Sequence, residues 1–276
     1  MRRRAGRENR PPLAERVLMV DSREPVRPEA YDKDYFLTEC QGHDAYIASQ
    51  GRVLPERLSE ALSLAGDLAG TRVLDLGCGR GEVVCRGVDR GAFMVGLDYS
   101  PDALDLARES VPAETAPLVR SDASHLPFVD QSFDRVLAFD LVEHLLPREL
   151  RAMYAEVYRV LAPGGRFVVH TMPNVWYYRY GYPLYRVVQR LRGRRLPRDP
   201  RDRWRFVKHV HVNEQSIATL GRELRRAGFE VRVHLRNVQA YDQEASPLVR
   251  RVMRALSSWY PFSLVFCNDL FAVAKK

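Results

Sequence analysis

The chain has 276 residues, of which 46% are hydrophobic, 28% charged and 10% aromatic, a composition that excludes fibrous and disordered classes and suffices for one large domain with a sizeable core. Its net charge of +8 is local: residues 1–10 carry +4 and residues 178–208 carry +9, which leaves the remainder at −5, so an anionic partner should be met at those two segments. The four cysteines, Cys40, Cys78, Cys85 and Cys267, show neither a CxxC pair nor metal-ligand spacing, which predicts reduced thiols and a cytoplasmic setting.

Residues 1–16 are basic but have no apolar signal core, and no apolar run reaches the roughly 18 residues of a membrane span, so neither secretion by that route nor insertion is expected. Residues 11–35 lack periodicity and read as a draped arm, and residues 1–53 as a whole are expected to form an arm and lid ahead of a domain over 54–276. A helical pattern over 54–68 leads into a strand-like run at 71–76 that ends in a glycine cluster, and further strand-like runs occupy 93–98, 117–121, 133–139, 165–171, 229–235 and 269–274. Between them lie helical patterns, the clearest placing Leu150, Met153, Tyr154, Val157, Val160 and Leu161 on one face. This alternation predicts an α/β fold: a Rossmann-like, mostly parallel sheet with helices on both faces. Residues 174–212 break the alternation and are expected to form a basic cap insertion.

Two amphipathic stretches stand out. Leu184, Val187, Val188 and Leu191 share one helical face among arginines, and Leu248, Val249, Val252, Met253 and Leu256 do the same. The plain reading packs both faces on the core with solvated arginines. The functional readings are peripheral contact with a membrane surface, or a pocket for an acidic, lipid-linked acceptor.

The chemistry concentrates after the first strand, in Val73-Leu-Asp-Leu-Gly-Cys-Gly-Arg-Gly81. Gly77, Gly79 and Gly81 let the backbone turn with positive φ and approach a ligand closely. Asp75 precedes the loop, where it either faces a ligand or caps a turn, and Cys78 reads as a small lining residue. Asp98 ends the second strand, where an acid can accept from both ribose hydroxyls, and Tyr99 follows it. Asp122 ends the third, with Ala123 beside it. A nicotinamide fingerprint would require glycine where Glu82 stands, and carboxylates at 75 and 82 would repel a pyrophosphate but attract a sulfonium or ammonium cation.

The stretches VLDLGCGRGE, VGLDYS, VRSDASHLPFVDQSFD, VLAFDLVEHL and LAPGGRFVV, over about residues 71–170, resemble class I S-adenosylmethionine-dependent methyltransferases of the ubiquinone and menaquinone biosynthesis group (methyltransferase type 11). The resemblance implies a seven-stranded sheet with its last strand antiparallel, and S-adenosyl-L-methionine as cofactor. It also implies roles: Gly77 to Gly81 under the methionine part, Asp98 on the ribose, Asp122 and Ala123 at the adenine, and Asp140 with Leu141 near the methyl donor.

Methyl transfer is an in-line displacement that needs a base only when the acceptor must lose a proton of high pKa. His144 is the first candidate for that role and Glu143 its companion; His170, His209 and His211 stand behind them. Asp140-x-x-Glu143-His144 also resembles the Glu-x-x-Glu-His of some quinone-pathway and small-RNA 3′-end methyltransferases, in which a divalent ion and a downstream His complete the set. The Asp at the first position departs from that pattern, so no metal is expected. The resulting expectation is O-methylation of a small or carrier-linked acceptor of glycan, lipid-linked or natural-product type. The alternatives are an RNA methyltransferase, disfavoured because no RNA-binding module or Asn/Asp-Pro-Pro-aromatic motif is present, and a binding protein that holds the cofactor without turnover.

Overall fold

A computed structural model describes residues 24–203, 210–238, 241 and 244–276. Seven strands, β1 (Arg72–Leu76), β2 (Phe93–Asp98), β3 (Leu118–Arg120), β4 (Phe133–Phe139), β5 (Leu161–Thr171), β6 (Glu230–Leu235) and β7 (Leu270–Lys275), form one sheet in the order β3-β2-β1-β4-β5-β7-β6. Strands β1 to β5 pair in parallel, and β7 is inserted antiparallel between β5 and β6. The order reverses between β1 and β4, which opens a crevice at their carboxyl ends.

Alternation along the strands divides the core in two. Leu74, Leu76, Val136 and Ala138 join one cluster with Leu150, Met153 and Val157 of α5 (Pro147–Val160) and with Leu220 and Leu224 of α7 (Ile217–Arg226). Val73, Leu137 and Phe139 face the opposite cluster, with Ala61 and Leu62 of α2 (Glu56–Ser63), Val83 and Val84 of α3 (Glu82–Asp89) and Leu104 of α4 (Pro101–Ser110). Central strands buried on both faces therefore read as nearly continuous apolar runs.

Element ends differ from the sequence expectation where pairing, not pattern, decides them. The helix expected at 54–68 is confined to Glu56–Ser63. β5 begins at Leu161, which pairs with Phe133; the next pair is Arg135 with Arg166, so the Pro163-Gly164-Gly165 turn is an excursion within the strand rather than its start.

Within the expected arm, residues 24–49 contain helical turns at Pro28–Ala30 and Tyr35–Glu39 and the helix α1 (His43–Ser49). Burial of Val26, Tyr31 and Phe36 against Ala103 and Leu106 of α4 holds this segment on the domain. After β5 come a turn at Tyr177–Gly181 and α6 (Tyr182–Leu191); α8 (Pro247–Ser258) and α9 (Ser263–Phe266) precede β7. No helix among the described residues is long and apolar enough to cross a membrane.

Candidate functional site

One cavity of 940 Å³ runs along the carboxyl edge of the sheet, from the glycine loop to the segment after β5. At the loop, Gly77, Gly79 and Gly81 take φ of +69°, +50° and +80°. A Cβ on Gly81 would lie 2.8 Å from Val111 Cγ2, so both backbone sign and space demand glycine there. Asp98, buried at the end of β2, accepts from the Gly79 amide at 3.0 Å and the Ser100 amide at 2.9 Å. Burial raises its carboxyl while these amides oppose the rise. Each oxygen keeps a further lone pair for a ligand hydroxyl.

Asp75 and Glu82 are buried, and Asp75 Oδ2 and Glu82 Oε1 have no hydrogen-bond partner among the described residues. Burial, then the neighbouring Asp98 and Glu82, push the Asp75 carboxyl well above the usual carboxylate range. Unpartnered carboxylate oxygens beside a glycine cradle fit a ligand carrying positive charge.

Arg80, whose part the sequence did not reveal, is buried and pairs with Glu82, Nη2 to Oε2 at 2.8 Å. It also donates to the carbonyls of Phe36 at 2.8 Å and Gln41 at 3.2 Å, which joins the glycine loop to the N-terminal segment. Leu97, Tyr99, Ala123 and Leu141 line the same end of the cavity. Asp122 lines it too, exposed, with Oδ1 accepting from the Ser124 amide at 2.7 Å.

The turn after β4 does not bring Asp140, Glu143 and His144 to one point. Asp140, at φ +52°, accepts from Arg57 at Oδ2 and from His170 Nδ1 at Oδ1, the latter at 2.6 Å. Burial works against ionisation, but Arg57 and His170 hold this carboxyl far below the usual range. His170 Nε2 reaches Asp269 Oδ1 at 3.2 Å, and the two carboxylates outweigh burial to raise the imidazole to about 9. Glu143 is instead buried beneath the turn, accepts from Thr171 Oγ1 at 2.8 Å, and is pushed up to about 8 by burial and then Asp140.

His144 lines the middle of the cavity. Its Nδ1 lies 3.1 Å from the Val210 carbonyl and 2.9 Å from the Tyr31 hydroxyl. A carbonyl only accepts, so an Nδ1–H given to Val210 leaves the lone pair on Nε2, whereas a Tyr31 hydroxyl donating to Nδ1 puts the proton on Nε2. Burial lowers the imidazole to about 4. The ring of His211 stands edge-on to it with centroids 4.8 Å apart, and His211 Nδ1 is buried with no partner among the described residues; His209 lies outside those residues.

Glu143, His144 and His211 present ligand atoms within 4.8 Å of one another. The ligand atoms of a tetrahedral ion with roughly 2.0–2.1 Å bonds stand about 3.3 Å apart. This trio would have to close inward to hold such an ion.

Beyond His144 the cavity wall is aromatic: Tyr177, Tyr178, Tyr182, Tyr185 and Tyr241 line it. At its far end the buried Glu244 accepts from Tyr185 Oη at 2.7 Å, Arg192 Nη1 at 3.1 Å and the Ser246 amide at 3.0 Å, and also from Gln189. Burial opposes these donors, yet together they bring the Glu244 carboxyl down to about 2.

A doubly wound sheet with a glycine turn under its crevice, and acids following β2 and β3, defines a nucleoside-cofactor-binding α/β protein. Residues 74–169 match the family described as "Methyltransferase domain". Demethylmenaquinone methyltransferase of Clavibacter sepedonicus is 38% identical over 122 residues, which cover 43% of this chain and 49% of that protein. Fatty-acid O-methyltransferase of Mycolicibacterium smegmatis is 36% identical over 115 residues, covering 41% of each. The chain thus spans less than half the length of these curated relatives. The crystal structure of an S-adenosylmethionine-dependent methyltransferase from Mesorhizobium loti superposes with a TM-score of 0.59 at 20% identity, over 80% of this chain and 98% of that one. Residues 74–169 thus form a methyltransferase domain of the type 11 group, the class I kind that uses S-adenosyl-L-methionine.

Proposed function

We propose that the chain is a methyltransferase that methylates an oxygen of a small or carrier-linked, acidic acceptor. The observation that carries this reading is a single cavity lined together by the glycine loop, His144 and the tyrosines after β5. The residues at the loop suit the cofactor: Asp98 would hold the ribose, Asp122 and Ala123 the adenine, and Asp75 with Glu82 the cationic methionine part. When bound, S-adenosylmethionine supplies an electrophilic methyl group on its sulfonium.

Asp140, ion-paired to Arg57 and His170, braces the turn that presents His144. His144 Nε2 accepts the proton of the acceptor hydroxyl as the new oxygen–carbon bond forms and the sulfonium–methyl bond breaks, so the products are a methyl ether or ester and a neutral thioether. The tyrosines bind the acceptor body. Arg194, which lines the cavity and lies 3.5 Å from Glu244, faces its acidic group. In this reading residues 174–203 and 210–212 cap the acceptor end and residues 24–53 cover the cofactor end. That one relative is a fatty-acid O-methyltransferase agrees with an oxygen acceptor.

The test is transfer of labelled methyl from S-adenosylmethionine to a panel of hydroxylated and carboxylated amphiphiles, sugars and phenols. Incorporation at oxygen, lost in His144→Ala, supports the proposal. Cofactor binding without transfer to any of them, or transfer only to RNA, refutes it.

A further inference from the structure

The helix α6 has two faces. Tyr182, Tyr185 and Gln189 turn inward and line the cavity, whereas Leu184, Val187, Val188 and Leu191 are exposed, Leu191 by 83%. The sequence left that apolar stripe either packed on the core or free to meet a membrane surface or an acceptor; in the structure the tyrosine face is the one buried. The same arrangement recurs nearby. In α8 it is partial, since Met253 of the stripe is buried with Ser257 while Leu248 and Val252 are exposed, and the chain continues into Trp259, Tyr260 and Phe262, exposed by 70%, 81% and 50%. Of the fourteen large hydrophobic residues exposed among the described residues, ten fall within 180–191 and 248–262, so the exposure is concentrated in two segments rather than scattered.

Glu244 fastens the two helices together. It binds Tyr185 and Gln189 of α6 and the amide of Ser246, whose Oγ in turn caps α8 by accepting from the Val249 amide. Around the apolar side chains the charge is of one sign: α6 carries Arg186 and Arg190, and α8 carries Arg250, Arg251 and Arg254, with no acidic residue in either helix. Pro247, Arg250, Arg251 and Arg254 line a shallow surface depression, and the buried Nε of Arg250 has no partner among the described residues.

We propose that α6, α8 and Trp259 to Phe262 dock this protein on an anionic lipid bilayer. The aliphatic and aromatic side chains enter the acyl boundary, and the arginines meet lipid phosphates. Charge complementarity selects this occupant: a ring of arginines around an apolar centre fits an anionic interface, whereas two copies of the same face would set arginine against arginine. Because α6 also lines the tyrosine end of the cavity, docking sets that end against the bilayer, where an amphiphilic acceptor is concentrated. This last point rests on the acceptor reading above; the docking itself does not.

The experiment is flotation of the full chain with vesicles of phosphatidylcholine alone and of equimolar phosphatidylcholine and phosphatidylglycerol, at low and high salt, with neither acceptor nor turnover. Preferential binding to the phosphatidylglycerol vesicles, weakened by salt, is expected. The combined Leu184→Ser, Leu191→Ser and Trp259→Ser variant should bind at least about tenfold more weakly. Arg250→Glu with Arg251→Glu should abolish the preference for anionic lipid. Both variants should keep the wild-type melting temperature and S-adenosylhomocysteine affinity, since every changed side chain lies outside the core and the cavity lining. Equal binding to both vesicle types, wild-type binding by both variants, or sedimentation showing a dimer that the serine variant dissolves would overturn docking. Vesicle binding without methyl transfer to any member of the acceptor panel would refute the proposed function and leave docking intact.

Discussion

Arg57 donates to a single carboxylate oxygen of Asp140 through Nε at 3.1 Å and Nη2 at 2.7 Å, and so ties α2 to the end of β4 by a buried ion pair. His170 occupies the other oxygen and continues the chain of charges to Asp269. Asp140 has a positive φ, costly for a residue with a side chain, and these contacts hold it there. The network is therefore the brace behind the turn that carries His144.

This brace gives the domain an alkaline limit. The His170 imidazole titrates at about 9 in the folded chain against 6.5 ordinarily, so its stabilisation is complete below 6.5 and disappears as pH rises through about 9. That contribution is worth roughly 3 kcal/mol. Glu143, raised to about 8 from 4.5, acts in the same sense: its contribution is complete below 4.5 and is lost as pH rises through about 8. Denaturant melts from pH 6 to 10 should show stability falling across this range, and His170→Gln should flatten the fall. A wild-type profile with no alkaline decline would contradict the assignment.

Asp98→Ala should weaken S-adenosylhomocysteine binding by on the order of 2 kcal/mol, the scale of losing charge-assisted hydrogen bonds to a ribose. Titration calorimetry measures it. Unchanged affinity in the folded variant would remove Asp98 from the cofactor site.

His144→Ala should lower kcat by roughly a hundredfold, a typical contribution of a positioned base, while S-adenosylhomocysteine affinity stays within about twofold of wild type because the ring lies beyond the nucleoside end. Loss of cofactor affinity equal to the loss of rate would place His144 in the cofactor pocket instead.

Arg80→Leu should destabilise the fold by on the order of 3 kcal/mol, because it strips a buried carboxylate of its partner. The double variant with Glu82→Leu should recover much of that loss. The single variant should also increase proteolysis within residues 36–41, whose carbonyls Arg80 holds. Equal melting temperatures for the single and double variants would show that the pair is not coupled.

What the amino-acid order determined alone was everything governed by local periodicity and by backbone constraints: the α/β alternation, the glycine loop at 77–81, and Asp98 at a strand end. Each follows from interactions between residues close in the chain, so local pattern carries it. Tertiary structure alone decided which distant groups meet. Asp140 went to Arg57 and His170 rather than to Glu143 and His144, and His211 came to stand against His144, because the end of β4 faces α2 and β5 while the chain returning after α6 passes over the turn. The same holds for α6, whose leucine and valine stripe periodicity finds but leaves open to core, membrane or acceptor. An amphipathic pattern says which residues share a face but not which face meets the protein, and here the tyrosines, satisfied by Glu244 and the cavity, took the inside and left the aliphatic stripe outside.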